Sequence, residues 1–327
     1  MLLRQPILNL EELALRYNVY SDYLRQRYGE KVYKLPISIP VTCPNRDGAC
    51  GTAGCVFCGE IGAGYENLPE SMTVRDQIEA NIAHIAPKYK ARKYIAYFQN
   101  FSNTYLPLGR LKTYLDEASQ PDIVGIALAT RPDCINDSYL ELLAEFRERT
   151  KIDISIELGL QSVQYHSLIK VNRGHTLGEY IDAVLRIKRY SIDICTHLIL
   201  NLPWDDMIDT VENAKVMSAL SVDQVKLHAL YIVKNTAMAD WYQQGQLTLI
   251  SKEEYVERVV AFLEHLKSDI VVQRLIGRAP EANTLFSNWQ TGWWKIRDDI
   301  ERTLEERDTW QGKKCSYLNG PAVQKFL

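Results

Sequence analysis

The chain has 327 residues, 46% of them hydrophobic, and 38 Lys and Arg against 41 Asp and Glu, a net charge of -3. That is enough apolar material for a large core in one or two domains, and the charge balance excludes a broad cationic surface for nucleic acid. No stretch approaches the roughly 20 apolar residues of a membrane span, and Glu11 and Glu12 stand where a signal peptide would be apolar. Seven cysteines, an odd and clustered set, point to metal or catalytic roles in a reducing compartment, so a cytoplasmic location without membrane attachment is expected.

Residues 1–33 read as a helical lead-in, with Leu10, Leu13, Leu15 and Tyr17 apolar. From Lys34 to Thr42, Leu35, Ile37, Ile39 and Val41 alternate with Pro36, Ser38, Pro40 and Thr42. This period of two predicts a strand, with prolines suited to an edge or a strand end. A cysteine-rich loop follows. Helices are predicted over Val74–Ile85, Leu108–Ala118, Ser138–Arg149, Gly178–Arg189 and Met207–Leu220. They alternate with strands over Tyr94–Gln99, Ile123–Ala129, Ile152–Leu158, Ile192–Leu200 and Gln224–Leu230. Six strands alternating with helices imply parallel pairing through right-handed crossovers. A partial barrel and a doubly wound sheet both satisfy that pattern. The tail adds a helix over Glu253–Leu266, a seventh strand over Ile270–Leu275 and a charged helix over Lys295–Glu306. Trp289, Trp293, Trp294 and Trp310 gather there and are expected to pack against the rest. The expected organisation is a lead-in (1–33), a strand–helix body (34–240) and a C-terminal extension (241–327).

The chemistry concentrates in the loop, where Cys43, Cys50, Cys55 and Cys58 fall within sixteen residues. A closed zinc site would use all four, commonly as two close pairs, and spacings of six, four and two residues suit that poorly. Three cysteines suffice for an iron–sulfur cluster with one open iron, as in Cys43-x11-Cys55-x2-Cys58. Active sites of parallel barrels form at such C-terminal strand ends. Gly48, Gly51 and Gly54 allow the backbone to wrap closely around a ligand.

Cys43-Pro44-Asn45-Arg46-Asp47-Gly48 and the Phe57 before Cys58 resemble the radical S-adenosylmethionine (SAM) proteins of the YhcC/YtqA type. The resemblance continues through Arg16-Tyr17-Asn18, Tyr97-Phe98-Gln99, Thr130-Arg131-Pro132-Asp133-Cys134, Glu157-Leu158-Gly159-Leu160-Gln161-Ser162, Asn172-Arg173-Gly174-His175, His197-Leu198-Ile199, Gln273-Arg274-Leu275 and Asp308-Thr309-Trp310-Gln311-Gly312-Lys313. It implies a partial (β/α)6 TIM-type barrel, with a 4Fe-4S cluster on Cys43, Cys55 and Cys58 that is chelated by the amino and carboxylate groups of SAM. It also implies a flavodoxin or ferredoxin type electron donor. Cys50 lies outside the triad and is expected to point away. Asn201 and Trp204 stand where relatives carry glycines.

Strand alternation independently puts Glu157, Gly159 and Gln161 on one face, Lys226 with His228, and His197 with Asn201. A polar residue in a strand buried on both faces needs a partner or a ligand. Gln161 and Arg173 resemble a cofactor-contacting pair of the oxygen-independent coproporphyrinogen dehydrogenases. The cofactor-binding set the resemblance implies is Gln99, Thr130, Glu157, Gln161, Arg173 and His197. Cys134 is the candidate hydrogen-atom donor. Lys226, His228, Lys234 and Arg274 are candidates for substrate contact. Similarity to the elongator catalytic subunit implies tRNA as a partner, with the carboxymethylaminomethyl side chain of wobble uridine as the target. A small metabolite or a protein side chain is the alternative substrate, and a non-catalytic metal-stabilised binding protein the alternative class. The cationic clusters at Lys88-Lys90-Arg92-Lys93, Arg186-Lys188-Arg189 and Lys313-Lys314 are read as solvated helix faces.

Overall fold

The computed structural model describes residues 16–60, 62, 66–278 and 283–326, so the predicted Leu10, Leu13 and Leu15 lie outside the described residues. Its core is a parallel sheet of β1 (Val32–Ile37), β2 (Lys93–Phe98), β3 (Ile123–Thr130), β4 (Asp153–Gln161), β5 (Asp193–Ile199), β6 (Gln224–His228) and β8 (Val271–Arg274). The strands lie in that order, all parallel. The short β7 (Ile232–Val233) and β9 (Thr284–Phe286) pair antiparallel beside it. The helices are α1 (Tyr20–Tyr28), α2 (Val74–Tyr89), α3 (Leu108–Ala118), α4 (Asp137–Thr150), α5 (Tyr165–Lys170), α6 (Leu177–Arg189), α7 (Met207–Ala219), α8 (Ala237–Gln243), α9 (Lys252–His265) and α10 (Trp293–Glu306).

Local chemistry starts the helices. Thr73 accepts the Asp76 amide at the head of α2, and Thr176 with Glu179 and Asp206 with Asp209 form capping boxes on α6 and α7. Central strands such as β3 are apolar on both faces, as layers covered on both sides require. Pro36 sits in β1, an edge strand, where the missing amide is tolerated.

The sheet is curled. Lys34 on one edge strand reaches Gln273 on the other, Nζ to Oε1 2.9 Å, although the two strands do not pair. This arrangement is the partial barrel, and the seventh strand expected from the tail is its closing edge.

The first strand ends earlier than predicted. Gln77 donates to the Ser38 carbonyl at 2.8 Å and accepts the Ser38 amide at 2.9 Å, taking both groups out of the ladder. Of the tail tryptophans, Trp289 packs against Tyr255 and Phe286 and donates to the Ile250 carbonyl at 2.8 Å. Trp293 and Trp294 are exposed. No helix of the described residues is long and apolar enough to cross a membrane.

Candidate active site

The loop between β1 and α2 is stapled to the segment after α5. Asn45 donates to the Asn172 carbonyl (2.6 Å), Asn172 donates to the Gly54 carbonyl (2.7 Å), and the Val56 amide donates to Val171 (3.1 Å). Each of three cysteines then meets its own arginine. Arg131 Nη1 lies 3.9 Å from Cys43 Sγ, Arg173 Nη1 3.5 Å from Cys55 Sγ, and Arg46 Nη2 3.4 Å from Cys58 Sγ. A guanidinium beside a thiol favours its thiolate, the form that binds metal. At Cys58 burial and then the neighbouring Cys55 outweigh the pull of Arg46, and the thiol lies above its ordinary value.

Cys50 has a carboxylate for its neighbour. It is exposed, and its sulfur lies 3.8 Å from the Asp133 carboxylate. Burial and then Asp133 raise its pKa.

Cys43, Cys55 and Cys58 line one cavity of about 450 Å³ together with Gln99, Thr130, Glu157, Gln161, Arg173 and His197. Cys134 is not among its lining residues. It ends the short turn Pro132–Cys134, its sulfur is 3.9 Å from Asp133 Oδ1, and burial followed by Asp133 pushes its thiol up to about 12. Thr104 joins the two neighbourhoods, bonding Thr130 Oγ1 and the Cys134 carbonyl at 2.6 Å each. Lys234 is exposed and outside the cavity.

The donor set fits a cluster better than a single ion. Among the described residues, no three loop sulfurs lie within 4.8 Å of one another, whereas a tetrahedral zinc would hold them about 3.8 Å apart. Three thiols, three guanidinium groups and an adjoining cavity suit a larger anionic group with room for a further ligand.

The end of β4 is shaped for close approach. A Cβ on Gly159 would lie 2.9 Å from Arg173 Nη2 and 3.1 Å from Gln161 Nε2. Gln161 itself holds φ at +83°, beside a register shift in the β4–β5 ladder. A non-glycine residue there carries strain, which clusters at functional sites.

Deeper in the barrel, Glu157 is 1% exposed and its carboxylate is fully engaged. It pairs with Lys34, accepts from Lys226 (2.9 Å) and His197 Nε2 (2.8 Å), and accepts from Gln273 (3.2 Å). Burial pushes this carboxyl up, but Lys226, Lys34 and His197 together hold it well below the usual range. Burial and Lys226 bring His197 down to about 4, so its ring is neutral near pH 7. Burial also lowers Lys226 to about 8, with Glu157 opposing. Lys34 and Gln273 were not singled out as site residues from the sequence. Their signal is a polar residue facing inward on a strand, legible only once β1 and β8 are known to face each other.

The radical SAM superfamily model matches residues 37–214, and the radical SAM C-terminal domain model matches residues 222–306. The chain is 35% identical to the uncharacterised protein YtqA of Bacillus subtilis over 311 residues, 94% of each chain. It is 30% identical to the protein YhcC of Escherichia coli over 298 residues, 90% of this chain and 94% of that one. A weaker match, 22% over 137 residues, covers 41% of this chain and 29% of a tRNA uridine(34) acetyltransferase of Dehalococcoides mccartyi. The fold resembles that of the archaeal Elp3 of Methanocaldococcus infernus, at a TM-score of 0.63 and 15% identity, covering 86% of this chain and 64% of that one. With its curled parallel sheet, its three-cysteine loop and the match over 37–214, the chain belongs to the radical SAM superfamily.

Proposed function

We propose that the chain processes the carboxymethylaminomethyl side chain of tRNA wobble uridine. Enzymes of its superfamily use a 4Fe-4S cluster and SAM, which when bound supply a 5′-deoxyadenosyl radical for hydrogen abstraction. The observation that carries the site is the one-to-one pairing of Cys43, Cys55 and Cys58 with Arg131, Arg173 and Arg46. These thiols hold the cluster. Gln99, Thr130, Gln161, Arg173 and His197 contact SAM from the cavity wall. Glu157 acts there by fixing His197 and Lys226, since its oxygens are already engaged. Cys134, expected from the sequence as the hydrogen-atom donor, is not among the cavity's lining residues and has no part in this reading. The electron comes from a flavodoxin or ferredoxin type donor.

Support for tRNA comes from the match to a tRNA uridine(34) acetyltransferase over 41% of this chain. Apart from Lys88, the surface cation clusters contribute little to such recognition. Arg186 pairs with Asp182, Arg189 with Asp137, Lys314 with Glu264 and Lys93 with Glu30. Recognition falls instead on the seam between β1 and β8. There a groove of about 1060 Å³ presents Tyr33, Tyr89, Trp293, Lys31, Lys88 and Arg297. Aromatic faces beside cations suit unstacked bases and their phosphates. The test is mass analysis of tRNA nucleosides from a deletion strain. Accumulated carboxymethylaminomethyl wobble uridine is expected, and unaltered wobble nucleosides under expressing conditions would sink the tRNA reading.

A further inference from the structure

The β6 and β8 flank of the cavity carries more positive charge than the protein neutralises. Of the carboxylates that line the cavity, Glu157 pairs with Lys34 and Lys226, and Glu66 pairs with Arg278. Among the described residues, Arg274 has no carboxylate within ion-pair distance. Its Nη2 lies 2.6 Å from His228 Nδ1, and its Nε donates to the Leu227 carbonyl at 3.4 Å. The histidines do not offset this. Burial, then Arg274 and His197, keep His228 well below its ordinary value and therefore neutral near pH 7. Its unprotonated nitrogen accepts from the guanidinium, which fixes the head of Arg274 without neutralising it. A cation in a half-enclosed site with no counter-charge is costly unless a ligand brings one.

The position is accessible. Tyr97, Lys226 and Arg274 line both the cysteine-side cavity and the larger seam groove. A molecule entering between the two edge strands therefore meets Arg274 before it reaches the cluster loop.

We propose that this flank is a subsite for an anionic group of the substrate, a carboxylate or a phosphate, held by Arg274 with Lys226 behind it. The proposal rests on the cavity being the radical site, and it holds whichever macromolecule or metabolite carries the anion. Arg274 gives two parallel donors to such a group, while Tyr97, 3.0 Å from Lys226 Nζ, anchors the lysine head. The subsite thus positions the substrate by its charged end, leaving its neutral carbon near the cofactor.

The test uses cluster-reconstituted protein with SAM bound, so that the carboxylate of SAM is already placed. Binding of trifluoroacetate, monofluorophosphate and neutral trifluoroethanol is followed by fluorine NMR line broadening. At least one anion is expected to bind saturably, and its dissociation constant is expected to rise at least tenfold in Arg274→Gln and less in Arg274→Lys. The surface variant Lys151→Gln is expected to match the wild type. Tighter trifluoroacetate assigns the site to a carboxylate, and tighter fluorophosphate to a phosphate. Equal binding of trifluoroethanol, no saturable anion binding, or a folded Arg274→Gln protein with wild-type affinity would overturn the subsite. Failure of the radical reading shows separately, as no 5′-deoxyadenosine from the same reduced preparation. Failure of the tRNA reading leaves these results unchanged.

Discussion

Arg173 serves two partners at once: its Nη1 lies 3.5 Å from the Cys55 sulfur, and its Nη2 donates to the Gly159 carbonyl at 2.5 Å. One side chain thereby ties the cysteine loop to the end of β4. Replacing it with Leu leaves the Gly159 carbonyl with the longer His175 Nε2 contact at 3.2 Å and the Cys55 sulfur without its cation. Losing a hydrogen bond from a charged donor costs about 1.5–3 kcal/mol. Arg173→Leu is therefore expected to lower the urea midpoint and the iron bound per chain after reconstitution. Arg173→Lys is expected to recover little iron, because a point charge cannot serve both partners. Full iron content in Arg173→Leu would remove this role.

The contrast between Cys50 and its neighbours gives a second prediction. Cys43, Cys55 and Cys58 each face a guanidinium, whereas Cys50 faces Asp133 and solvent. Single Ala substitutions at the first three positions should each abolish most cluster binding, read as iron and sulfide per chain. Cys50→Ala should keep both at wild-type levels. Loss of iron in Cys50→Ala would make Cys50 a fourth ligand and close the site to SAM.

Much of this was legible in the sequence because it is local. The strand–helix rhythm and the tail marked all seven strands of the curled sheet, and alternation sent Glu157, Gly159 and Gln161 to one face, where they line one cavity. The spacing of Cys43, Cys55 and Cys58 is likewise a short-range pattern. The partners were not legible, because they depend on curvature. Lys34 meets Glu157 and Gln273 across 123 and 239 residues, and Cys50 meets Asp133 across 83. The end of β1 depended on Gln77, a helix residue 39 positions from Ser38. The positive φ of Gln161 has no residue-type signal, since glutamine is not a left-handed former. The β7–β9 pair was missed because strands of two and three residues give no period.

Gly159 offers a test of the packing around that strand end. Its missing Cβ is the space in which Arg173 Nη2 sits, 2.9 Å from the ideal position. Gly159→Ala forces the guanidinium or Gln161 aside, and overpacking of this kind costs about 1–3 kcal/mol. The protein is expected to fold with a lower melting temperature and weaker SAM binding by equilibrium dialysis. Unchanged SAM affinity would place Arg173 and Gln161 outside the cofactor contacts.

The buried histidines set the acid limit of the fold. Burial leads the lowering of His197 to about 4, with Lys226 adding to it, and of His175 to about 3, with Arg173 and Arg131 adding. His228 lies well below its ordinary value for the same leading reason. In the unfolded chain these rings protonate near pH 6.5. Below that pH the unfolded state binds protons that the folded state refuses, so stability falls as pH falls. For His197 the loss runs from about pH 6.5 down to about 4. Each such group adds a slope of at most about 1.4 kcal/mol per pH unit in its window. Glu157 acts lower: its carboxyl is depressed, so its contribution is complete above the ordinary carboxylate range and is lost as pH falls through its folded value. His197→Gln keeps a donor for Glu157 but cannot titrate. Urea unfolding between pH 7 and 4.5 should then give a stability slope shallower than wild type by up to about 1.4 kcal/mol per pH unit. Parallel slopes would mean that the His197 ring protonates freely in the folded protein, and the ion-pair network around Glu157 would have to be redrawn with a charged imidazole.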